Sequence, residues 1–185
     1  MKTSKTIRNP AIGYRNTFLQ TDVETNGELL QIMYAVETPE SKPVIPPHIH
    51  LQCEERFEVM QGHLGVILDG ERQQLGLGEQ VLIPPGTPHT FWNAGEDELR
   101  FITDVRPPGQ LQTYWETVFG LAEDGKVGKN GLPNLLQLAV VAPLADSYAS
   151  NVPIRVTKFI IKLLGGIGCL LGYKESYPQY SQQTL

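Results

Sequence analysis

Residues 46–62 read PPHIHLQCEERFEVMQG, and residues 78–93 read GEQVLIPPGTPHTFWN. Successive side chains of an extended strand point to opposite faces, so His48 and His50 share a face and can reach one ion. Phe57 and Val59 alternate with Arg56 and Glu58, which puts Glu55 on the apolar, inward face and turns Glu54 to solvent. His89 has the parity of Phe91 and Asn93, and Trp92 points the other way. Pro85 and Gly86 allow the sharp turn that delivers His89 back to the same rim. Three imidazole nitrogens and one carboxylate oxygen suit Fe, Mn, Ni, Co, Cu or Zn, with positions left for water, substrate or dioxygen.

Working outward, the chain from about Thr17 to Val105 consists of short β-type runs broken by Gly, Pro and Asp. Asp69-Gly70 predicts a tight hairpin, because both positions tolerate positive φ. In the last run Leu99, Phe101, Thr103 and Val105 alternate with Glu98, Arg100 and Asp104, so the first set faces in and the second out; Ile102 breaks the pattern. Arg106-Pro107-Pro108-Gly109 ends the β region. After it, Leu111, Tyr114, Trp115, Val118, Phe119 and Ala122 recur at helical spacing, and further helical stretches run from about Pro133 to Ala142 and Pro153 to Leu171. The expected organisation is an all-β barrel over 1–107 and a helical C-terminal extension over 108–185.

These motifs resemble those of the cupin superfamily. HIHLQCEERFEVMQG is similar to the first cupin motif and departs from it in lacking the upstream glycine, where this chain has Lys42. GEQVLIPPGTPHTFWN matches the second motif from Gly78 through Pro84, Gly86 and His89 to Asn93. The resemblance covers roughly residues 25–107 and implies a jelly-roll (double-stranded β-helix) barrel. It also implies one divalent transition metal on His48, His50, Glu55 and His89, the four residues that parity selects. Cupin dioxygenases further imply a metal-dependent oxidoreductase acting on a small, chelating, oxygen-bearing substrate, with Glu55 also carrying a proton. The inward parity of Phe57, Val59, Phe91 and Phe101 makes them the expected apolar substrate pocket, with core filling as their alternative role. Cupins commonly pair through barrel edges, so a homodimer is expected.

Composition sets the remaining bounds. Hydrophobic residues make up 41% and charged residues 19% of 185, which is ordinary for one folded domain and excludes wholesale disorder. A net charge of −5 offers nothing to nucleic acid. The N-terminal MKTSKTIRNP has no apolar stretch behind its basic residues, and Cys53 and Cys169 alone make no disulfide framework, so a cytoplasmic location is expected. Cys53 reads as an inert thiol and His63 as an ordinary turn residue. From residue 151 onward Arg155, Lys158, Lys162 and Lys174 stand against Glu175 alone. Two readings outside catalysis therefore stay open: a metal-dependent binding module without turnover, and a protein that docks to a partner or membrane surface through its basic, apolar tail. The apolar faces of that tail are expected to pack on the barrel or on the first tail helix.

Overall fold

The protein is described by a computed structural model covering residues 4–37 and 45–181; Lys42, in the first motif's one departure, lies outside the described residues. The alternating runs form strands β1 (Thr6–Asn9), β2 (Tyr14–Gln20), β3 (Leu30–Val36), β4 (His48–His50) and β5 (Glu54–Gln61). They continue as β6 (Leu64–Leu68), β7 (Glu71–Leu75), β8 (Gln80–Ile83), β9 (His89–Asn93) and β10 (Leu99–Arg106). Asp69 and Gly70, at φ 49° and 85°, close the β6–β7 hairpin as expected. Helix α1 (Leu111–Glu123) follows, then α2 (Leu135–Val141), a 3-10 turn (Ala142–Ala145), strand β11 (Ser147–Ala149) and helix α3 (Ile154–Leu170).

Two antiparallel sheets face each other, in the orders β1-β2-β3-β10-β5-β8 and β11-β4-β9-β6-β7. This is the expected β-barrel with a helical extension. The core lies between the sheets, where Phe57, Val59, Phe91, Leu99, Phe101 and Val105 are buried together. Tyr34 stacks on Phe101 at 4.9 Å between ring centroids, and Phe57 and Phe91 meet edge-on at 5.6 Å.

Three features depart from the sequence reading. Asp104, expected on the outer face of β10, is only 5% exposed. There it accepts from Arg56 Nη2 at 2.7 Å and Gln31 Nε2 at 2.8 Å. Trp92 does face outward, yet it is buried, because Gly65 opposite has no side chain to hold the indole away and Arg72 lies over the ring at 4.5 Å. Third, the extension is not helical throughout: β11, from well beyond residue 108, joins the smaller sheet beside β4. A three-residue strand carries too few alternations to be recognised by period.

α1 packs on β1 of the larger sheet and on the 3-10 turn. Leu111, Val118, Phe119 and Ala122 of α1 are buried, with Tyr114 and Trp115 partly buried against the core. Asn134 caps α2 by accepting from the Leu136 and Gln137 backbone N–H groups. α3 packs on α2 and β11 rather than on α1. Contact with α2 depends on two glycines: a Cβ at Gly165 would stand 3.0 Å from the Ala139 carbonyl oxygen, and one at Gly168 would stand 3.0 Å from that of Leu136. Val156, Phe159, Leu163, Ile167 and Leu170 of α3 remain exposed.

Candidate metal centre and its cavity

His48 and His50 leave β4 toward the barrel interior, and His89 on β9 sits directly across the ladder from His48. The turn before β9 is tied back to β4 by a 2.6 Å hydrogen bond from the Gly86 N–H to the His50 carbonyl, with Gly86 at φ 79°. The ligand atoms of the three imidazoles all lie within 4.8 Å of one another. Glu55, at the start of β5, brings Oε2 to 3.0 Å from His89 Nε2 and 3.7 Å from His50 Nε2. Glu54 lies on the opposite face of the same strand, half-buried, while Glu55 is 6% exposed.

Each imidazole is oriented by a backbone carbonyl. His48 Nδ1 meets Pro46 O at 3.0 Å, His50 Nδ1 meets Ala145 O at 2.8 Å and His89 Nδ1 meets Thr87 O at 2.9 Å. A carbonyl only accepts, so each Nδ1 carries the proton and each Nε2 keeps its lone pair free. His89 Nε2 is buried and, despite the nearby carboxylate, has no aligned hydrogen-bond partner. Three converging lone pairs beside a carboxylate are the donor set a divalent transition metal requires, so the residues present fit such an ion.

The charges agree with that geometry. Burial would raise the Glu55 carboxyl, but His50 and His89 outweigh it and hold it down at about 2. Burial, with His89 and His50 close by, lowers His48 to about 3. Burial would lower His89 too, but the Glu55 carboxylate beside it raises it instead. Below pH 6.5 an unfolded chain protonates His48 while the folded one does not until about 3, and the same holds for Glu55 between 4.5 and about 2. The unfolded state then binds more protons, so stability falls as pH falls. Metal-free protein is therefore expected to melt at progressively lower temperature as pH drops from 6.5 toward 4, and His48→Ala should flatten that slope. An unchanged slope in the variant would remove His48 as its cause.

A cavity of about 300 Å³ opens onto this cluster. His48, His50 and Glu55 lie in its wall, which is otherwise largely apolar. Of the four expected pocket residues, Phe57 and Phe91 line it; Val59 and Phe101 lie outside its lining and fill the core. Most of the wall comes from elements beyond the motifs: Tyr114 and Trp115 of α1, Leu138 of α2, Tyr148 of β11, and Ile160, Ile161 and Leu164 of α3. Tyr34 lines it from the barrel, its phenol held neutral by burial and by Glu55. Burial pushes Tyr114 up to about 12. Cys53 is buried beside the site, and burial together with Glu55 and Asp146 lifts its thiol to about 12, which makes it a poor nucleophile.

The family model of the cupin domain matches residues 35–105, which span both motifs. The barrel is a cupin domain. Relatives of the chain include the protein named "Probable oxidoreductase virH" of Hypocrea virens, 29% identical over 75% of this chain and 68% of that protein. The quercetin 2,3-dioxygenase of Bacillus subtilis is 44% identical over a shorter stretch, 25% of this chain and 14% of that enzyme. Among solved structures, a protein described as a predicted oxalate decarboxylase from Thermotoga maritima superposes with a TM-score of 0.49 at 17% identity, covering 57% of this chain and 92% of its own.

The motifs do not contain the Ala145 carbonyl that orients His50, nor Asp146, whose carboxylate accepts from the Leu51 and Gln52 N–H groups at 2.7 Å each. The sequence signal for that contribution is slight: a lone acid after an apolar helix, in a segment otherwise read as a connection.

Proposed function

We propose that this cupin is a metal-dependent oxidoreductase whose substrate is a small, largely apolar molecule bearing a chelating oxygen pair. The observation that carries this reading is the cavity, a largely apolar chamber with His48, His50 and Glu55 in its wall. His48, His50, Glu55 and His89 would hold one divalent transition metal, which when bound supplies a Lewis acid and a route for electrons between substrate and oxidant. Glu55 would also carry a proton, since its Oε2 faces two imidazoles and the cavity at once. Tyr34 and Tyr114, both neutral, line the chamber as hydroxyl groups available to a substrate oxygen. The oxidoreductase and dioxygenase names carried by relatives agree with redox chemistry at such a site. Both cysteines are free, which suits a reducing, cytoplasmic setting. A homodimer formed through barrel edges belongs to the same reading.

The test is metal analysis of the purified protein, followed by oxygen uptake with iron- or nickel-loaded protein against flavonols, diketones and simple sugars. Uptake with the apolar enols alone supports the reading. Micromolar binding of sugars with none by enols overturns it, and ligand binding without any turnover leaves a binding module instead of an enzyme.

Filling the chamber separates cavity from metal. Ala142, on the cavity wall where α2 passes into the 3-10 turn, should accept phenylalanine only by intruding into that space. Ala142→Phe is expected to weaken binding of an apolar chelator by about tenfold or more while metal content stays at the parent level. Undiminished binding would show that the substrate sits elsewhere.

A further inference from the structure

α3 carries three different faces. Thr157 and Gly168 are buried against the rest of the protein. Turning around the helix, Val156, Phe159, Ile160, Leu163, Ile167 and Leu170 form an unbroken apolar stripe left open to solvent; Phe159 is 66%, Leu163 53% and Leu170 89% exposed. Arg155, Lys158 and Lys162 follow on the next sector, all exposed. No acid occurs between residues 147 and 174.

We infer that this face of α3 lies on the surface of an anionic phospholipid bilayer, its apolar stripe among the acyl chains and its basic edge at the headgroups. An apolar stripe bordered by lysine and arginine is the pattern of helices that rest in the membrane interface, where the long basic side chains reach up to phosphate. No described helix is long and apolar enough to cross a membrane, so the helix lies in the plane. Charge decides between this surface and a second copy of α3. Two such helices packed through their stripes would hold six cations with no acid on either helix to answer them, and the antiparallel two-fold arrangement sets basic edge against basic edge. Anionic headgroups supply the missing charge. Ile160 also connects the stripe to the cavity, since it belongs to both. A molecule partitioned into the acyl layer therefore meets the cavity wall at the docked face. Docking itself does not depend on the reaction proposed above.

The experiment is co-sedimentation of the full-length protein with vesicles of phosphatidylglycerol and phosphatidylcholine, and of phosphatidylcholine alone, at low and high salt. Binding is expected to the anionic vesicles, falling severalfold at high salt. Leu163→Asp should reduce it by about tenfold or more, and Arg155→Glu with Lys162→Glu by severalfold. All three positions are exposed, and an unchanged melting temperature and metal content will show that the fold persists. Two results overturn the inference: no preference for anionic vesicles, or a parent protein that sediments as a dimer, ignores vesicles and becomes monomeric on Leu163→Asp.

Discussion

His89→Ala is expected to leave the purified protein with about a tenth or less of the parent's metal, while Glu54→Ala stays close to full occupancy. His89 is 2% exposed, sits opposite His48, is oriented by Thr87 and points Nε2 at Glu55. Its removal takes away one of three converging nitrogens and leaves Glu55 Oε2 without the imidazole that stands 3.0 Å from it. The metal-free variant should therefore also show Glu55 titrating higher than about 2. Glu54 is one residue away in sequence but pairs across the ladder with Arg106 and faces outward. Elemental analysis of the two variants, purified side by side in the same metal-supplemented medium, measures the difference. Equal losses would mean that the wrong glutamate has been assigned, and undiminished metal in His89→Ala would remove the proposed centre altogether.

The convergence of His48, His50 and Glu55 was legible because strand parity is a strict rule. Once His48 and His50 share a face, only Glu55 of the two adjacent glutamates can join them, and the structure places them so. Parity predicts direction and not burial, which is why Trp92 and Asp104 escaped it: each faces outward and is then covered, Trp92 by packing on Gly65 under Arg72 and Asp104 by Arg56 and Gln31. The cavity was less legible. Phe57 and Val59 have the same parity, yet only the first borders the chamber, because depth along the barrel decides and alternation carries no depth. Helices α1 to α3 were readable from their period, within a residue or two at each end. Their use as the cavity wall was not, since an apolar face shows that a helix is covered and not by what. The exposed stripe on α3 makes the same point in reverse: the expectation that the tail's apolar faces pack on the barrel or the first tail helix holds for the sector that meets β11 of the smaller sheet, while the stripe through Phe159, Leu163 and Leu170 stays exposed among the described residues.

The connection between tail and metal strand yields the second large effect. Asp146 occupies the left-handed region at φ 47°, a conformation that aspartate and asparagine tolerate better than alanine. From there it accepts two backbone hydrogen bonds from the loop that follows β4, and its neighbours on either side orient His50 and pair with it. Asp146→Ala loses two charge-assisted bonds and strains the backbone at one stroke, in a half-buried position where water replaces them only in part. The expected cost is about 2–3 kcal/mol, which for a chain of this size lowers the melting temperature by roughly 4–12 °C. Metal affinity should fall with it, because β4 loses the anchor that sets His50 against the Ala145 carbonyl. Asp146→Asn keeps the left-handed tolerance and one acceptor oxygen, so it should recover most of the stability. Thermal melts with and without added metal distinguish the two roles: if the metal-dependent rise in melting temperature is as large in Asp146→Ala as in the parent, Asp146 stabilises the fold alone and the tail has no part in holding the metal ligands.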